Sequence, residues 1–72
     1  MGLPKKLTPM QMKFAQILIA NEGKLYAYEA AIEAGYSKDR ARQEASELQN
    51  PQKSPLVAKY ISELRKEMQK KY

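Results

Sequence analysis

The sequence predicts an all-α fold: a small four-helix domain whose helices span about 8–20, 25–34, 37–49 and 55–70, the middle pair forming a helix-turn-helix. Three observations carry this. Apolar and small residues recur three and four positions apart through each stretch, the period of a helix face. Start and stop residues fall between the stretches: Thr8-Pro9, Gly35, Pro51 and Ser54-Pro55. And with 72 residues the chain makes one domain at most, for which local helical contacts are the economical solution.

Composition narrows the chemistry. There is no cysteine and no histidine, so no disulfide framework exists and a zinc site has almost no ligands. No stretch approaches the roughly 18 apolar residues of a membrane span, and no signal-peptide core follows the N-terminal lysines. Lys6 stands where a myristoylation motif needs Ser or Thr. The expected location is intracellular. The net charge of +5 favours a polyanionic partner, nucleic acid before membrane, although solubility alone also accounts for basic small domains. No glycine-rich phosphate loop or pair of buried carboxylates is present, and Glu29 and Glu33, one helical turn apart, read as a solvated face. An enzyme is not expected, and no cofactor is implied.

Residues 1–7 read as a flexible basic arm whose Lys5 and Lys6 can touch phosphates. Thr8-Pro9-Met10-Gln11 is a helix start in which Thr8 is the N-cap, Pro9 takes the first position and Gln11 completes a capping box. The first helix then places Met10, Phe14, Ile17 and Leu18 on an apolar stripe, with Ala15 and Ile19 beside it and Lys13 and Gln16 outward. Phe14, the one phenylalanine, is the expected centre of the core.

The second stretch carries Tyr26, Ala27, Ala30, Ala31 and Ala34 at helical spacing and stops at Gly35, the residue that enters left-handed backbone without steric penalty. A tight turn, Gly35-Tyr36-Ser37, leads to the third helix. Ser37 can begin it by accepting a backbone N–H, with Asp39 in its first turn. Ala41, Ala45 and Leu48 form its inner stripe, and Lys38, Arg40, Arg42, Gln43 and Ser46 lie on its other faces. This is the arrangement that offers a second helix to a DNA major groove. A plain helical hairpin is the competing reading. Pro51 stops the third helix. Ser54 and Pro55 start the fourth, whose inner face takes Leu56 or Val57, Tyr60 or Ile61, Leu64 and Met68, with a mostly basic end at 65–72.

From Leu7 to Leu64 the chain resembles the N-terminal domain of phage terminase small subunits, the DNA-recognition component of viral genome-packaging motors. Leu7-Thr-Pro-Met-Gln-Met-Lys-Phe14 is similar to that family's opening Leu-Thr-Pro-x-Gln-x-x-Phe. Glu29-Ala-Ala-Ile-Glu-Ala-Gly-Tyr-Ser37, followed by Ala41-Arg42 and Ala45-Ser46, is similar to its Ala-Ala-Ile-x-Ala-Gly-Tyr-Ser core, and Asn50-Pro51 with Val57, Ile61 and Leu64 to its closing block. The chain departs at Lys24-Leu-Tyr-Ala-Tyr28, where members commonly carry Gly-Asn-Ala-Thr, at Glu47, often basic, and in the longer linker Gln52-Lys-Ser-Pro55. The resemblance implies double-stranded DNA and the ATP-hydrolysing large subunit as partners, and the host cytoplasm as location. It implies a homo-oligomer for full-length members, this chain alone being monomeric. It also implies that residues 8–64 are the helix-turn-helix DNA-binding domain and that 65–72 leads toward an oligomerisation region.

The expected mechanism places the N-terminal half of 37–49 in the major groove. Ser37 and nearby N–H groups bind phosphate, Lys38, Arg40 and Arg42 supply charge, and Arg42 or Gln43 reach base edges, with Ser46 beside them. Lys5, Lys6 and Lys13 hold the flanking backbone. A transcriptional regulator shares this physics. A basic protein-interaction or oligomerisation module is the reading from another class.

Overall fold

The computed structural model describes the backbone of residues 6–70 and the side chains of residues 6–67; Lys5, the rest of the arm before it, the Met68 side chain and Tyr72 lie outside the described residues. Four α-helices follow one another: α1 (Pro9–Ala20), α2 (Ala27–Ala34), α3 (Ala41–Gln49) and α4 (Pro55–Lys70). No strand occurs among the described residues. The all-α, four-helix expectation holds.

α1 begins as its sequence dictates. The Thr8 hydroxyl accepts the Gln11 N–H at 3.1 Å, the Gln11 side chain accepts the Thr8 N–H at 2.9 Å, and Pro9 occupies the first turn. Two otherwise unpaired donors are thus satisfied reciprocally. At its far end the Asn21 side-chain amide donates to the Ile17 carbonyl at 2.9 Å. α2 starts at Ala27 rather than 25. Tyr26 is its N-cap, extended and 72% exposed, and so stands outside the small-residue stripe. Tyr26 makes no side-chain cap bond; instead the Glu29 carboxylate reaches back to accept the Tyr26 N–H at 2.9 Å. Glu29 therefore holds the helix start and is half-buried, whereas Glu33 is the solvated residue expected of both.

The core is built where α1 packs on α2 and α4 and α3 packs on α2 and α4. Phe14 is fully buried, as expected, with Ala15, Leu18 and Ile19 of α1 around it. Ala30, Ala31 and Ala34 enter from α2, Ala41, Ala45 and Leu48 from α3, and Val57 and Ile61 from α4. The buried face of α1 is rotated from the expected stripe. Ala15 and Ile19 lie inside it, Ile17 is half-buried, and Met10 is 38% exposed. α1 packs on both α2 and α4, so its inner face is centred between the 14/18 and 15/19 rows. Leu7, the last residue of the arm, also packs on this core.

α2 and α3 are joined by residues 35–40, longer than the three-residue turn expected. Gly35 has φ +115°, and the N–H of Tyr36 returns to the Ala31 carbonyl at 3.0 Å, which closes α2 as a left-handed cap does. Ser37 does accept a backbone N–H, that of Asp39 at 3.2 Å. It does not start the α-helix. The Arg40 N–H turns back to Ser37 at 3.1 Å and that of Ala41 to Lys38 at 3.4 Å, three-residue closures that wind a tighter turn before α3. After α3, the Asn50 side chain accepts the Gln52 N–H at 2.9 Å and its carbonyl accepts the N–H groups of Lys53 and Ser54, so the linker is a compact turn ending at Pro55. The inner face of α4 is resolved in favour of Val57 and Ile61, with Tyr60 and Leu64 half-buried. Arg65 pairs with Glu22 beyond the end of α1, and the Tyr60 hydroxyl accepts from Gln16 at 2.9 Å, which ties α4 across α1.

Phe14→Ala is expected to lower the unfolding free energy by roughly 3–5 kcal/mol, a large share of what so small a domain holds, read from a urea melt followed by circular dichroism. Gly35→Ala adds a methyl that meets the Met10 side chain no closer than 3.6 Å, an ordinary contact. Its expected cost of about 1–2 kcal/mol in the same melt is therefore conformational, not steric.

Candidate nucleic-acid interface

Because α3 begins at Ala41, the three cations assigned to it divide: Lys38 and Arg40 stand in the tight turn before it, and Arg42 alone lies within it. Residues 41–49 also contain Glu44 and Glu47, so α3 by itself is not a cationic helix. The positive charge gathers at its N-terminal end. Cations there oppose the helix dipole, so local helix stability does not account for their placement.

The side chains of α3 sort by direction. With Ala41, Ala45 and Leu48 buried, a rotation of about 100° per residue aims Gln43 straight outward. Arg42 and Ser46 lie on one flank of that direction, and Glu44 and Glu47 on the other. Gln43, Ser46 and Arg42 are all exposed. On the Arg42 flank the guanidinium carbon sits 4.8 Å from the centroid of the Tyr28 ring on α2, within cation–π range. Tyr28 in turn stacks on Tyr26, centroids 5.9 Å apart and planes 12° from parallel. On the other flank Glu47 accepts from Gln43 at 3.1 Å and pairs with Lys53 at 3.9 Å, while Glu44 pairs with Arg40 at 3.3 Å. That flank faces an apolar cleft bordered by Met10, Tyr36, Leu48 and Ser54, and its two carboxylates make it a poor surface for phosphate.

Ser37, Lys38, Arg40, Arg42, Gln43 and Ser46 are thus all exposed, within ten residues of chain, while Ala41 and Ala45 between them are buried. Arg40, 64% exposed, holds Glu44 from water, a pair worth about 0–1 kcal/mol, so it can turn to another anion at little cost. Lys38 and Arg42 form no ion pair among the described residues. Lys13 is exposed on α1 and borders a depression that also touches Ala34 at the end of α2. Lys6 is exposed ahead of α1; Lys5 lies outside the described residues. Tyr26 and Tyr28 were absent from the residues that the sequence singled out for this face. The signal available was two tyrosines two apart at the start of the second helical stretch, and nothing in that spacing names Arg42 as a neighbour.

No group of three or more His, Cys, Asp or Glu side chains that could hold a metal ion is found among the described residues. No helix of the described residues is long and apolar enough to cross a membrane.

The Tyr36 phenol is held off its ordinary value. Burial, and then the charge of Glu44, push its phenol above 10.0. The folded state thus favours the neutral phenol. Its contribution is fully present below pH 10.0 and is lost as the pH rises from there through the folded value, because the unfolded chain ionises first. The difference in urea stability between wild type and Tyr36→Phe should be constant at neutral pH and shift against the wild type only at alkaline pH.

The family model described as terminase small subunit matches residues 7–72. No curated protein and no solved structure matches the chain.

Proposed function

The chain belongs to the terminase small subunit family, which serves phage DNA packaging, and from that premise we propose that residues 8–64 are its DNA-binding unit, with the turn 37–40 and the outward face of α3 as the contact surface. The family's small subunit is generally the non-catalytic component, working with DNA and a large subunit. The observation that carries the proposal is the separation of charge around α3: cations at its N-terminal end and on one flank, carboxylates turned to the other, neutralised side.

In this reading the Ser37 hydroxyl and the N–H groups that open α3 receive a phosphate, as helix N-termini do. Lys38 and Arg40 neutralise the backbone on that side, Arg40 leaving Glu44 for the stronger polyanion. Gln43 and Arg42 enter the major groove, where the amide suits adenine and the guanidinium suits guanine, and Ser46 follows one turn later. Lys13, Lys6 and Lys5 grip the flanking strand. The reading gives this chain no catalytic step; ATP hydrolysis belongs to the large subunit. Residues 65–72 lie outside the DNA-binding unit. One small module binds weakly, and useful affinity comes from several copies acting together.

Fluorescence anisotropy with a short duplex tests this. If about four to six cations meet phosphate, log affinity falls against log salt with a slope of about −4 to −5. Reversing charge with Lys38→Glu and Arg42→Glu together should abolish binding while the circular dichroism spectrum is kept. A flat salt dependence, or wild-type affinity in the doubly reversed variant, would point instead to a protein-interaction module.

A further inference from the structure

We propose that Tyr28 is a positioning residue for DNA recognition: its ring holds the Arg42 guanidinium at the edge of α3, so that the side chain is already directed when duplex arrives. The inference rests on the DNA-binding reading above and adds to it a residue on a different helix.

Tyr28 is the second residue of α2 and Arg42 the second residue of α3, so the contact joins the opening turns of the two helices. Arg42 has no carboxylate partner among the described residues; its guanidinium lies over the tyrosine face at 4.8 Å. The other two arginines of the described residues are held by carboxylates, Arg40 by Glu44 and Arg65 by Glu22. The difference matters for a polyanion. A carboxylate competes with phosphate for the guanidinium N–H groups, whereas an aromatic face holds the planar cation and leaves those donors at its edge unoccupied.

Tyr28 is itself fixed. It is half-buried against the core, Tyr26 stacks on it, and the neighbouring Glu29 locks the start of the helix that carries it. A long flexible arginine anchored on such a ring loses less freedom on binding than one moving in water. Both tyrosines lie in the stretch where the sequence departs from the Gly-Asn-Ala-Thr common in the family, so the clamp is not part of the pattern on which the resemblance rests.

Three variants of the full chain test this: Tyr28→Phe, which keeps the ring, Tyr28→Leu, which keeps apolar packing without it, and Arg42→Ala. In the free protein, the Arg42 side-chain protons should be shifted upfield by the ring in wild type and Tyr28→Phe, and return to ordinary values in Tyr28→Leu. Tyr28→Phe should bind duplex as wild type does. Tyr28→Leu should bind about two- to fivefold more weakly, the range of an exposed cation–π contact, with its amide spectrum otherwise that of the folded chain. In an Arg42→Ala background, Tyr28→Leu should cost nothing more. Wild-type affinity in Tyr28→Leu, the same loss with and without Arg42, or unshifted Arg42 protons in wild type would each overturn the inference while leaving the DNA-binding reading in place. A wild-type chain that binds no duplex would overturn that reading and this inference with it.

Discussion

The close approach of α2 and α3 through their alanines is the constraint on which the rest of the molecule depends. Ala30, Ala31 and Ala34 on one helix and Ala41 and Ala45 on the other are all buried. A methyl group keeps little bulk between packed backbones, and it brings no rotamer entropy cost and no polar group to satisfy. What alanine does not bring is much apolar area. Half of the twelve buried core residues are alanines, so hydrophobic stabilisation falls on the others, Phe14 first. Small residues set the geometry, and a few large ones hold it.

That geometry fixes where charge sits. With Ala41, Ala45 and Leu48 pinned inward, the direction of every other α3 side chain is decided. Gln43 points away from the core, Arg42 leans over Tyr28, and the two glutamates lie toward the Tyr36 cleft. A helix with one arginine and two glutamates within its bounds would repel a phosphate backbone if these groups were mixed. Sorted to opposite flanks, with Arg40 and Lys53 beside the carboxylates, they leave an outward face and an N-terminal turn open to an anion. The charge pattern of this domain is thus a consequence of how its alanines pack.

Local signals in the sequence were enough for the element order. Thr8-Pro9 with Gln11, Gly35, and Ser54-Pro55 each act within one turn of chain, and each marks a helix end in the structure. Phe14 was legible as the centre of the core because it is the largest apolar group on a periodic face. What escaped were features set by partners distant in sequence. The rotation of α1 that buries Ala15 and Ile19 and exposes Met10 depends on packing against two helices at once. The late start of α3 depends on Ala41 reaching the core after a tight turn, whereas Ser37 and Asp39 alone suit an earlier helix start. The same holds for the candidate interface. Exposure of Arg42, Gln43 and Ser46 follows from helical period, but the Arg42–Tyr28 contact joins residues fourteen apart on two helices and has no local signature.

The central claim is that duplex DNA meets the turn before α3 and the outward face of that helix. A backbone amide-shift titration of the folded chain with a short duplex tests it most directly, because it reports the partner and the surface together. Saturable shifts are expected at residues 37–43 and at Ser46, with a second set near Lys13 on α1. Shifts confined to the Glu44–Glu47 cleft side or to α4, or no saturable shift at low salt, would contradict it.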